Sequence, residues 1–302
     1  MSEAAKGVLA MIAACTIWGL SGLFYRALAH VPPLEVLAHR TVWSLVFFVT
    51  VLAFQRRLLL LPALLRSPAF LLISFAALLV SANWYGFIWS VQNGRALEAS
   101  LGYYIYPLVA VLIGLAIFRE ALTPIQWGAV VLAAIAVATL TAGLGATPWT
   151  ALYLAVTFGF YGMMKRKVDA GPVVSVAAEV SVLAPVALVW LVVVHTGHAG
   201  GAHGGAFGRD WMTSGLLALS GVATGLPLML FSYAARRVRM ATLGLVQYVN
   251  PTLQFFVAVF AFGEDVTIWH MIAFPLIWFA LAIYSLATLR AERRRRIVPA
   301  AP

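Results

Sequence analysis

The sequence predicts an all-α integral membrane protein of ten transmembrane helices, arranged as a 5+5 inverted-topology repeat. Three observations predict it. Of 302 residues, 63% are hydrophobic and 10% charged, and the mean hydropathy of +0.95 lies outside the range of an ordinary soluble globule. Apolar stretches of about 20 residues recur along the chain, each long enough to cross roughly 30 Å of hydrocarbon and lacking the dyad alternation of a barrel strand. The chain also contains a diverged copy of itself about 140 residues downstream. Ala99-Ser100-Leu101-Gly102 returns as Ala241-Thr242-Leu243-Gly244, and Tyr106, Pro107 and Phe118-Arg119-Glu120 fall opposite Tyr248, Pro251 and Phe262-Gly263-Glu264. Upstream, Gly19, Gly22, Arg26 and Pro32 fall opposite Gly159, Gly162, Arg166 and Pro172. A repeat with an odd number of spans must insert upside down relative to its partner, the pattern of a transporter.

The expected spans are roughly 7–28, 34–54, 69–92, 96–117, 125–143, 149–168, 173–195, 211–233, 241–262 and 268–289. The first carries Lys6 and the lone Cys15, is too long for a signal-peptide core, and is read as a retained helix. The second starts after Pro32-Pro33 and the seventh after Gly171-Pro172, because proline suits a first helical turn. Between the second and third, the basic and partly apolar Gln55–Ser67 connection suits the membrane interface. The fourth opens with Glu98 and Ser100, the fifth follows Thr123-Pro124, and Thr147-Pro148 opens the second repeat. The units are therefore 1–146, 147–290 and a basic tail, 291–302. Glu120 and Glu264 follow the fourth and ninth spans, where N-terminal capping of the next helix accounts for them.

A net charge of +10 invites a nucleic-acid reading, which the placement of the charges rejects. With a cytoplasmic N-terminus, ten spans put both termini inside together with 16 of the 20 Lys and Arg residues. Arg293 to Arg296 then face anionic lipid. The partners expected are a small-molecule substrate and the lipid bilayer, with no nucleic acid and with a homodimer left open. His195, His198 and His203 border a glycine-rich outer loop, and a flexible linker explains them better than a metal site. No metal or cofactor is expected. Neither a His-Glu-x-x-His motif nor a Gly-x-Ser-x-Gly elbow occurs, so an enzyme is not expected either.

Ionisable groups within membrane spans cost on the order of 2.5–3.5 kcal/mol or more, and so point to a protein-lined or wet interior. His39, Arg40 and Glu179 stand out. Glu179 occupies the repeat position of His39, which predicts a charged group near each mouth of a central cavity and not a buried Arg–Glu pair. Two readings of Glu179 stand: a proton-coupling carboxylate, or a static hydrogen bond to a neighbouring helix or to Arg166. Arg40 either binds an anionic group or snorkels to the interface. His39 and Trp43, four apart, share one helix face.

Pro107 deprives the carbonyl of Tyr103 of its helical partner, and Pro251 does the same for Gln247. Gln247, Asn250 and Gln254 lie with Pro251 on one stripe. Paired proline-broken spans at equivalent repeat positions point to a binding site, and Thr224-Gly225-Leu226-Pro227 adds another bending point. The expected cavity lining is Trp18, His39, Arg40, Trp43, Asn83, Trp84, Tyr103, Tyr106, Gln247, Asn250 and Gln254, with Trp89 a further candidate. Pro107, Gly225, Pro227 and Pro251 are the expected hinges. Gly19 with Gly22, and Gly159 with Gly162, are read as helix-packing positions, and Trp127, Trp149, Trp211 and Trp269 as interface anchors.

The span layout with Glu120 and Glu264 resembles the drug/metabolite transporter superfamily in its EamA form. Five further elements resemble the RarD branch of bacterial inner-membrane permeases: His39-Arg40-Thr41-Val42-Trp43-Ser44, Asn83-Trp84 through Trp89, Asn93 through Tyr103, Thr224 through Pro227, and Leu245 through Tyr248 with Pro251 through Phe255. The branch commonly has Asn where this chain has Tyr106. The resemblance implies a 5+5 inverted repeat around a central cavity, in the bacterial inner membrane, moving small metabolites or drugs outward. A membrane sensor or assembly scaffold without solute flux is the competing expectation.

Overall fold

The computed structural model describes residues 2–118, 122–145, 148–165, 167–197, 204–238, 243 and 246–297. Arg119, Glu120, Thr147, Arg166, His198, His203, Ala241, Thr242, Gly244 and Leu245 lie outside the described residues, and only the backbone of Arg293 to Arg296 is described. The described chain is all-helical: α1 (Glu3–Ala27), α2 (Pro33–Phe54), α3 (Leu60–Leu65), α4 (Phe70–Gln92), α5 (Ala96–Phe118), α6 (Pro124–Leu144), α7 (Trp149–Lys165), α8 (Pro172–His195), α9 (Trp211–Ala235), α10 (Val249–Phe256) and α11 (Ile268–Ile297). A single π-helical turn, Val257–Ala261, extends α10.

Eight of these helices are long and apolar enough to cross a membrane, where the sequence predicts ten. The sixth expected span, α7, has 17 described residues. In the ninth, the described residues 243 and 246–247 are helical, Tyr248 forms a turn, and the 8 residues of α10 and the 5 of the π turn follow. Pro251 explains part of that difference. It lies in the first turn of α10, just after the turn at Tyr248 that interrupts the span, where its missing N–H costs nothing. The helix starts follow local chemistry. Pro33 and Pro172 open α2 and α8, a Thr123–Gln126 capping box opens α6, and the Asp210 carboxylate accepts from Met212 N and Thr213 N to open α9. The expected interfacial connection contains α3, with Leu61 turned into a core shared with α2 and α8.

The two halves of the chain interdigitate. Helix α1 packs on α9 and α10, while α7 packs on α4 and α5. Helix α2 packs on α9 and α8 packs on α4; α2 meets α8, α5 meets α10, and α6 meets α11. Exchanging the repeats converts every one of these pairings into another of the same set. Glycines set the closest approaches. A Cβ at Gly19 would lie 2.6 Å from Leu253 Cβ, and one at Gly221 would lie 2.3 Å from the Trp43 carbonyl oxygen. Large apolar side chains such as Leu71, Val186, Val189 and Phe260 cover the outside, as a lipid-facing surface requires.

Candidate functional site

A central cavity of about 640 Å³ lies between the repeats. Trp18, Arg40, Asn83, Trp84, Tyr103, Tyr106, Gln247, Asn250 and Gln254 line it, with Pro107 and Pro251. His39 and Trp43 do not. The His39 ring stacks on Phe207 with centroids 4.9 Å apart, and Trp43 lies 6.1 Å from the same ring. Adjacent helical residues point about 100° apart, so a helix that turns Arg40 inward turns His39 toward another neighbour. Trp89 also lies off the cavity, under the Arg95 guanidinium. Gly225 is wedged against Phe47, and α9 continues without interruption through Gly225 and Pro227.

Arg40 is buried, 7% exposed. Its Nε donates to Thr224 Oγ1 at 2.9 Å, and its guanidinium carbon lies 4.0 Å from the Trp84 ring centroid and 5.6 Å from that of Tyr25. It does not snorkel. Among the described residues no carboxylate pairs with it and its two terminal nitrogens have no protein acceptor. Asn83 is differently placed: it donates to Leu154 O at 2.9 Å and to Thr157 Oγ1 at 3.0 Å, and accepts from Tyr103 Oη at 2.9 Å. The amide and hydroxyl are thus committed to joining α4, α5 and α7.

Glu179 is 1% exposed and is ion-paired to Lys165, whose side chain is 23% exposed. Lys165 Nζ donates to Glu179 Oε1 at 2.7 Å and also to Ser175, and Tyr161 Oη donates to Glu179 Oε2 at 3.1 Å. Lys165 and Tyr161 line the cavity, and Glu179 sits behind them. The repeat correspondence with His39 could not show this, because the partner cation comes from the end of the preceding helix. Phe158 and Gly162 also line the cavity without having been expected to. A Cβ at Gly162 would meet nothing within 4 Å, so this glycine borders open space instead of packing a helix. Phe158-Gly159-Phe160-Tyr161-Gly162, an aromatic run broken by glycines, is the signal that could have found the wall.

The two ends of the cavity differ. Near the α1–α2 and α4–α5 turns, Gln92 Nε2 donates to Leu28 O at 2.9 Å and Val31 O at 3.2 Å. Tyr25, Phe87 and Tyr103 meet edge to face across the same end. Glu264 does not cap the helix that follows it. Its carboxylate accepts from Ala96 N and Leu97 N, both at 2.7 Å, and so caps α5 from the other repeat. At the opposite end, the lining reaches Lys165, Pro172, Tyr284 and Ser285, beside the α7–α8 turn and late in α11. Along the α10 wall, Gln254 Nε2 donates to Asn250 Oδ1 at 3.1 Å, while Gln254 Oε1 is buried without a partner among the described residues.

Residues 5–142 match the EamA-like transporter family. A protein named RarD from Streptomyces exfoliatus is 41% identical over 296 residues, covering 98% of this chain and 93% of the relative. A protein named uncharacterized transporter from Vibrio cholerae is 39% identical over 298 residues, covering 97% of this chain and 96% of the relative. A solved crystal structure shares the fold with a TM-score of 0.62 at 16% identity, covering 94% of this chain and 98% of its own.

Proposed function

We propose that this chain, which belongs to the EamA-like transporter family in its RarD-like branch, carries a small organic metabolite or drug across the bacterial inner membrane by alternating access. The observation that carries this reading is the central cavity, walled by helices from both halves of the chain, with hydrogen bonds and edge-to-face rings at its α1–α2 and α4–α5 end. In this reading the repeats are inverted, both termini are cytoplasmic, and the open α7–α8 end faces the cytoplasm. The exchange of packing partners between repeats supports the inversion. The basic connections support the orientation, since Arg56, Arg57, Arg66, Lys167, Arg236 and Arg237 fall on that side.

A cavity that loads from the cytoplasm suits an exporter. The aromatic walls suit an amphipathic or aromatic solute, with Asn250 and Gln254 as polar contacts. The break in helix before α10, together with Pro107, supplies the bend, and the Lys165–Glu179 pair is the candidate coupling group. Purified protein in proteoliposomes, assayed by counterflow with a panel of labelled aromatic metabolites, should give saturable flux that Arg40→Ala and Glu179→Gln reduce. Absence of saturable flux across the panel would favour a sensor or scaffold.

A further inference from the structure

We infer that the cavity is a site for a small organic anion, whose carboxylate seats on the guanidinium of Arg40. The inference rests on the cavity being the transport site and names the class of solute. A cation buried within a membrane protein needs a counter-charge or several acceptors. Among the described residues Arg40 has neither: Thr224 takes Nε, and the terminal nitrogens have no protein acceptor. Trp84, stacked at 4.0 Å, and Tyr25 stabilise the charge through their ring faces and fix the guanidinium plane, but they accept no in-plane hydrogen bond. What remains is an open fork of the kind that binds a carboxylate through two parallel bonds.

Charge balance narrows the ligand further. Lys165 also lines the cavity but is already neutralised by Glu179, leaving Arg40 as the uncompensated cation of the described wall. One free positive charge matches a monoanion better than a phosphate dianion. Asn83 and Tyr103, the nearest polar candidates, are spent on each other and on α7, so they do not compete for the ligand. The aromatic walls would hold its apolar body.

The test uses the full chain in lipid nanodiscs, with calorimetry and thermal shift against benzoate, phenylacetate and indole-3-acetate, each paired with its neutral primary amide. At least one acid should bind roughly ten- to hundredfold more tightly than its amide, the worth of a charge-assisted hydrogen bond. Arg40→Gln should abolish that preference, so that each acid binds no more tightly than its amide. Arg40→Lys, which keeps the charge but loses the fork, should fall between, and it decides the matter if the glutamine variant does not fold. Equal binding of acids and amides, no binding of any acid, or an unchanged preference in Arg40→Gln overturns the inference. Arg40-dependent acid binding without vesicle flux would uphold the anion site and remove the transport reading. Saturable flux of a neutral solute with no acid preference would do the reverse.

Discussion

Lys165 and Glu179 hold each other in place between α7 and α8. Glu179 is nearly inaccessible, and Lys165, Ser175 and Tyr161 supply its hydrogen bonds. Removing one member strands the other, at a cost on the order of 3 kcal/mol, whereas removing both costs less. Lys165→Met should therefore lower the unfolding midpoint in detergent more than Lys165→Met with Glu179→Leu. A double variant less stable than the single one would contradict this. The chemistry of such residues was legible because a charge in an apolar run has few bland explanations. Their partners were not. His39 finds Phe207 in a connecting loop, and Glu264 reaches backbone amides far up the chain. No local spacing rule encodes either contact.

At the level of helices, equivalent glycines do unequal work. Gly19 brings α1 against α10 so closely that a Cβ meets Leu253 Cβ at 2.6 Å, whereas at Gly159 the nearest atom is the mobile Ile113 Cδ1 at 3.1 Å. Gly19→Ala should cost about 1–3 kcal/mol and Gly159→Ala clearly less, read as midpoints of chemical unfolding. Equal costs would contradict the packing described. The carboxylate of Glu264 on the α5 amides predicts a second asymmetry. Glu264→Ala should lose about 1–2 kcal/mol, and Glu264→Gln, which keeps one acceptor, less than that. Helix positions were readable to within a few residues from hydropathy and from the prolines at 33, 124 and 172. The division of the ninth span was not, because proline signals a break without saying whether a helix bends there or begins there. The short α3 was hidden for another reason: six residues are too few for a periodic pattern to register.

For the molecule as a whole, the proposed opening of the cavity at the α7–α8 end predicts one-sided access. Gly162 borders open space, so Gly162→Cys should fold and, with Cys15→Ser, carry the only thiol. A membrane-impermeant maleimide should label it in inverted vesicles and spare it in right-side-out ones; equal labelling from both faces would remove the one-sided cavity. The matched motifs suggest a duplication, but the way the two halves of the chain share a core was not legible, since packing partners leave no mark on either half alone. That sharing bears on biogenesis. Helices α1, α4 and α5 leave the ribosome before α7, α9 and α10, the helices they pack against, have been made. Much of the first half must then wait in lipid with polar groups unmet, Arg40 Nε and the amide nitrogen of Asn83 among them. Assembly is thereby postponed until the last helices insert, and a chain truncated after the first repeat should be a substrate for quality-control proteolysis and not a stable half-protein.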